Sequence, residues 1–174
     1  MKKAVWSGIL AVAALAALST PVYAQQTANG TVTVSVSVNA RAKLSINNAT
    51  TTAISFADTD PDLNGGVINA NQALNIDVKA RTSPTGSVTL TVRADHDLQT
   101  AGSDSIAINN LTWASGSGGG FNATGTSSAS AEVPVATFTG PGSRSGSQSY
   151  SLANSWNYAV GTYAATLTYT LTAP

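Results

Sequence analysis

Thr31-Val32-Thr33-Val34-Ser35-Val36-Ser37-Val38 alternates hydroxyl-bearing and apolar residues without a break. A period of two sends the four valines to one face and the hydroxyls to the other. Every residue except serine is β-branched, which suits a pleated strand and disfavours helix. The same pattern returns further along. Leu74, Ile76 and Val78 share a face within 73–80, and Val88, Leu90 and Val92 share one within 87–92. Ile106 and Ile108 precede Leu111 and Trp113, with a change of face at Asn109-Asn110 that predicts a bulge or bend. Shorter strands are expected at 42–46, 53–56, 133–138 and 148–152. A closing strand over 163–171 has Tyr163, Ala165, Leu167, Tyr169 and Leu171 in register.

Turn chemistry separates these runs. Asn64-Gly65-Gly66, Ser83-Pro84-Thr85-Gly86 and Gly140-Pro141-Gly142 supply residues that tolerate tight bends. No stretch after the first 24 residues sustains a 3.6-residue period. Many short strands with turns between them predict an all-β chain, a single immunoglobulin-like antiparallel β-sandwich. Residues 114–131 are rich in glycine and serine, too long for a tight turn, and read as a mobile loop across one end of the sheets.

The beginning of the chain reads as an address. Lys2 and Lys3 precede an apolar run from Ile9 to Leu18, then Pro21 and the small-residue site Val22-Tyr23-Ala24. This is the pattern of a secretory signal peptide cleaved after Ala24, and the apolar run falls short of the roughly 20 residues of a membrane span. Residues 1–24 are therefore expected to be removed, and 25–174 to form one domain. That places the protein in the periplasm in transit, then at the cell surface or outside the cell. No later stretch is continuously apolar, so no transmembrane segment is expected in the remainder.

Charge is sparse, at 9% of residues, and solubility rests on Ser, Thr, Asn and Gly. No basic stripe offers itself to nucleic acid. With no cysteine, thiol catalysis, iron–sulfur clusters and Cys-based zinc sites are excluded, and the fold depends on packing and sheet hydrogen bonds alone. The single histidine, His96, lies between Asp95 and Asp97. Neighbouring residues of a strand point to opposite faces, and no serine stands at a spacing that would complete a catalytic triad. A surface turn is the expected role, and the chain is not expected to be an enzyme.

Two local patches could hold ligands. Asp58, Asp60, Asp62 and Asn64 alternate in a loop and could turn several oxygens towards one hard cation, calcium being the one such a loop would take. Leu63 stands where the helix–loop–helix calcium motif wants glycine, so a solvated inter-strand turn is the competing reading. Apart from such a calcium, no cofactor is expected. Trp156 and Tyr158 sit in a loop and are the aromatic candidates for a carbohydrate contact. Most other aromatics, Trp113 and Tyr150 among them, suit the core.

Two resemblances follow from these residues. The ending Val160-Gly161-Thr162-Tyr163-Ala164-Ala165-Thr166-Leu167-Thr168-Tyr169-Thr170-Leu171-Thr172-Ala173-Pro174 resembles the last strand of WxL-type bacterial surface domains, and 88–95 with 105–113 resembles their earlier half. Val88 and Tyr169 stand where those domains carry their defining tryptophans. The alternating closing strand, with an alternating strand near the start, also resembles fimbrial and spore-coat-U-type subunits of chaperone–usher systems. That resemblance implies a structural subunit of a surface fibre, coat or extracellular matrix. It implies a periplasmic chaperone and usher as partners, and self-association or pairing with other surface subunits. Val32, Val34, Val36 and Val38 would then be donated to a neighbour's groove, where main-chain hydrogen bonds and alternate side chains make the joint. Tyr163, Leu167, Tyr169 and Leu171 would belong to the closing strand. Pairing of 31–38 within its own domain is the competing arrangement. A secreted module binding cell-surface glycans or another surface is the alternative function.

Overall fold

The structure is a computed structural model that describes residues 30–49, 52–63, 66–116 and 118–174. The expected signal peptide lies outside the described residues.

Among the described residues eleven strands and a 3-10 turn over Ile108–Asn110 carry the sheets, and every pairing between these strands is antiparallel. The strands are β1 (Arg41–Ile46), β2 (Val67–Asn69), β3 (Leu74–Arg81), β4 (Ser87–Ala94), β5 (Leu98–Gln99) and β6 (Ser105–Ile106). They continue as β7 (Leu111–Ser115), β8 (Thr124–Thr126), β9 (Val133–Thr139), β10 (Gly142–Ala153) and β11 (Leu167–Thr172). One sheet runs β1-β3-β10-β7-β8, with β2 pairing the end of β10 beyond the reach of β3. The second runs β11-β4-β9, and β5-β6 form a small ribbon. The arrangement is the antiparallel sandwich that the alternation predicts.

Alternation fixes the inner faces. Leu74, Ile76, Val78 and Ala80 on β3 and Val88, Leu90, Val92 and Ala94 on β4 are all buried, while their sequence neighbours face outwards or are half-buried. The inner faces of the two sheets build one core with Leu111, Trp113, Val135, Ala136, Tyr150 and Leu152. Trp113 and Tyr150 are directly paired across β7 and β10, with ring centroids 6.0 Å apart and a tilt of 47°. On β9 the register to β4 shifts between Leu90 and Thr91. The bulge lets two successive residues, Val135 and Ala136, both face inwards.

Several local expectations change. The change of face at Asn109-Asn110 is a 3-10 turn over Ile108–Asn110. Residues 53–56 form only an isolated bridge, Phe56 to Ala70. Strand β10 begins at Gly142, well before 148, because its pairing with β3 carries the small polar run 142–147 through the sheet.

The glycine-rich segment is structured rather than loose along much of its length. Thr124–Thr126 is β8, and Phe121 bridges Ala136 on β9. Asn122 donates its backbone N–H to Val135 O at 2.8 Å, and Thr137 donates to Gly120 O at 2.8 Å. The outer edge of β9 is thereby covered. Glycine is needed here for close approach: Gly125 lies against the indole of Trp113, and a Cβ on Gly146 would stand 2.7 Å from the Phe121 ring.

Residues 30–40 carry no strand assignment. Val32, Val34, Val36 and Val38 are 87%, 87%, 84% and 65% exposed. The alternation that predicts a strand is present, but among the described residues no strand pairs with it. The chain divides at Val36/Ser37 into two units, and the sandwich belongs to the second. No helix among the described residues is long and apolar enough to cross a membrane.

Candidate functional site

The sandwich is closed differently on its two sides. On the β8/β9 side, Ala94 N–H donates to Ser128 O and Ser127 N–H donates to Leu111 O, both at 2.9 Å. The connection from β8 to β9 thus ties the sheets together, and Phe121 lies on the edge of β9. On the other side, β1 and β11 are both edge strands, adjacent but not hydrogen-bonded to each other. Their inward residues are only half-buried: Leu44 and Ile46 on β1, and Leu167, Tyr169 and Leu171 on β11. The same faces one strand further in, on β3 and β4, are buried throughout. Core-facing side chains at this seam therefore lack cover that a further strand would supply. A free sheet edge of this kind offers unpaired N–H and C=O groups to an incoming chain.

One polar contact spans the core beside the seam. Tyr169 O–H donates to Gln148 Oε1 at 2.6 Å, so Tyr150 O–H is the donor in its 2.7 Å bond to the Tyr169 oxygen. Burial pushes Tyr150 up to about 12, and Tyr169 is pushed up further by burial and by the neighbouring Tyr150. Both phenols stay neutral well above the usual tyrosine range. Gln148 is wholly buried, and its Nε2 has no partner among the described residues. Tyr163, also expected on the closing strand, precedes β11. Its hydroxyl donates to Ala159 O at 2.8 Å, and the ring packs on the core.

The two loop patches that sequence separates are joined in space. Asn154 donates its N–H to Gly66 O at 2.6 Å and its Nδ2 to Thr59 O at 2.7 Å. Trp156 Nε1 donates to Asp62 Oδ1 at 3.2 Å. Trp156 is 69% exposed, whereas Tyr158 is half-buried, packs against the core and spends its hydroxyl on Ala153 O at 3.1 Å. Of the two aromatic candidates, only Trp156 faces solvent broadly. Asp60 Oδ1 accepts the Asp62 backbone N–H at 3.0 Å, and Leu63 N–H donates to Asp60 O at 2.9 Å. Asp60 thus shapes the turn, the role that aspartate often takes in such loops. Asp58 is exposed, and Asn64 lies outside the described residues. No group of three or more His, Cys, Asp or Glu gathers at metal-binding distance among the described residues.

The acids beside His96 hold backbone. Asp95 Oδ1 accepts Thr166 N–H at 2.8 Å, which lowers its pKa against the opposing effect of burial, and the coulombic pull of His96 adds to the lowering. Asp97 Oδ1 accepts Ile108 N–H at 2.8 Å. His96 Nε2 lies 3.4 Å from Asp95 Oδ2, and its Nδ1 is 2.5 Å from Asp97 O. These bonds lock the 95–98 bend to the start of the 3-10 turn at Ile108 and to the approach to β11.

The chain matches no protein-family model and no curated protein.

Proposed function

We propose that this chain is an exported structural subunit of a bacterial surface fibre, coat or matrix, and that it assembles by donating the strand 31–38 to the β1/β11 seam of a neighbouring copy. The observation that carries the reading is a match between two unfinished surfaces. One is an alternating segment with four solvated valines. The other is a seam of half-buried Leu44, Ile46, Leu167, Tyr169 and Leu171 between two edge strands. Burying each valine is worth about 1.5–3 kcal/mol, and main-chain pairing adds direction and register.

A tight hairpin of 31–38 onto β1 is disfavoured by chain geometry. Only Asn39 and Ala40 separate Val38 from β1. A two-residue hairpin back onto β1 would put these two in a primed turn, which wants positive φ at its first central position or at both, a setting that favours glycine, and neither residue is glycine. Donation to a neighbour needs no such turn. The role asks for no catalysis, no resident cofactor and no membrane span. Export by the signal peptide, and a chaperone that shields the seam before assembly, complete the scheme.

Because the native chain has no cysteine, the joint can be trapped. Val36→Cys paired with Leu171→Cys, and Val34→Cys paired with Leu44→Cys, are expected to give ladders of disulfide-linked subunits on non-reducing gels. A product confined to an internally bridged monomer in both pairs would sink the reading.

A further inference from the structure

We propose that the junction of Trp156 with the 58–63 loop is a second, independent binding site, and that its ligand is a glycan carrying amino sugars. The site lies at one end of the sandwich, on the chain that leaves β10 and the chain that enters β2. Asn154 stitches the two loops together through Gly66 and Thr59, and the Trp156–Asp62 hydrogen bond fixes the edge of the indole. Ser155 supports the turn: its Oγ accepts Asn157 N–H at 3.2 Å and its carbonyl accepts Tyr158 N–H at 3.3 Å.

The side chain held by this scaffold is a large aromatic left in water. Trp113 is buried and Tyr158 is half-buried, yet Trp156 stands 69% open. A broad aromatic surface left in water on a braced turn suits a partner with a flat apolar face and a polar rim. A pyranose ring offers its C–H face to the indole and its hydroxyls to nearby oxygens.

Charge selects among sugars. Asp60 and Asp62, both exposed, share the loop with exposed Asp58. Among the described residues the only ion pair is His96 with Asp95, and none of them pairs a cation with these three carboxylates. Asp62 Oδ1 is taken by the indole, and its Oδ2 has no hydrogen bond among the described residues. Acidic glycans are repelled by this loop, and neutral ones gain hydroxyl hydrogen bonds from it but no charge pairing. A hexosamine with a free ammonium gains charge-assisted hydrogen bonds to the carboxylates while its ring covers Trp156. A partly deacetylated amino-sugar polymer is the occupant that uses both halves of the site. The site shares no residue with the β1/β11 seam, so it stands apart from the assembly scheme.

Isothermal titration of the full chain with a chitosan hexamer tests the proposal, with cello-hexaose as the uncharged control. Chitosan hexamer is expected to bind and cello-hexaose to bind at least threefold more weakly. Trp156→Ala should weaken chitosan binding tenfold or more, Asp62→Asn several-fold, and Trp156→Phe by an intermediate amount. All three variants should keep the wild-type melting temperature and the disulfide ladders described above. If Trp156→Ala lowers the melting temperature, Trp156→Phe and Asp60→Asn carry the comparison. The proposal is overturned if wild type binds no chitosan hexamer at millimolar concentration. Equal binding by the folded Trp156 variants would overturn it too. Cello-hexaose bound as tightly as chitosan would remove the amino-sugar assignment.

Discussion

Tyr169, on the edge strand of the three-stranded sheet, receives a 2.7 Å hydrogen bond from Tyr150 on the opposing sheet and passes its own proton to Gln148 Oε1 at 2.6 Å. This relay fastens β11 to β10 through the core at the place where β11 has no strand partner on its outer side. Removing the middle hydroxyl would leave two buried polar groups without their partner. Tyr169→Phe is therefore expected to cost about 1–3 kcal/mol, read as a lower urea midpoint at unchanged slope. Tyr150→Phe removes only the donor end of the relay and should cost less. Equal stability of Tyr169→Phe and wild type would show that the relay contributes nothing.

The same pair sets the response to alkali. Both tyrosines are neutral in the folded state, and folding raises their pKa values above the unfolded value near 10, Tyr150 to about 12 and Tyr169 beyond it. Their contribution is therefore complete below about pH 10 and is lost as pH rises towards and through the folded values. The urea midpoint should hold between pH 7 and 9 and fall from pH 10 upwards. Tyr169→Phe should start lower and fall less steeply. A wild-type midpoint that is flat up to pH 12 would contradict the burial of these phenols.

Glycines in the 114–131 segment and on the β10 face beside it divide into two kinds. Gly125 faces the Trp113 indole and Gly146 faces Phe121, whereas nothing lies within 4 Å of a Cβ built on Gly119. Gly146→Ala is expected to lower stability by about 1–3 kcal/mol through overpacking, and Gly125→Ala at least as much. Gly119→Ala should stay within about 0.5 kcal/mol of wild type. Thermal melts of the three variants check the ordering. A uniform response would mean that the segment is the loose loop its composition suggests.

These glycines also mark where sequence reading runs out. The inner faces of β3 and β4 were legible because Leu74-Ile76-Val78 and Val88-Leu90-Val92 alternate, and period two has one physical meaning. The covering of β9 was not, because a glycine run reads as freedom until Phe121 and Trp113 are seen to occupy the space that missing Cβ atoms leave. Phe121 set among glycines was the available signal. The early start of β10 was hidden for a related reason: Gly142 to Ser147 has no apolar alternation, and the strand there is held by its pairing with β3. In the loops, Trp156 and the Asp58–Asp62 run could each be picked out by residue type. Their union depends on Asn154, whose hydrogen bonds to Gly66 and Thr59 connect residues far apart in sequence. The four valines read as one strand face, yet 30–40 carry no strand assignment, because alternation sets a face and says nothing of the partner that would complete it.

That partner is the central claim, and a peptide settles it most directly. A variant lacking 31–38 is expected to run as a monomer on size-exclusion chromatography with light scattering, while the intact chain forms higher assemblies. A synthetic peptide of sequence Thr31–Val38 should bind the shortened chain and slow amide exchange along β1 and β11, and a peptide with Val34 and Val36 replaced by aspartate should not. A shortened chain that assembles as wild type does, or that leaves the peptide unbound with β1 and β11 exchanging as before, would contradict the account.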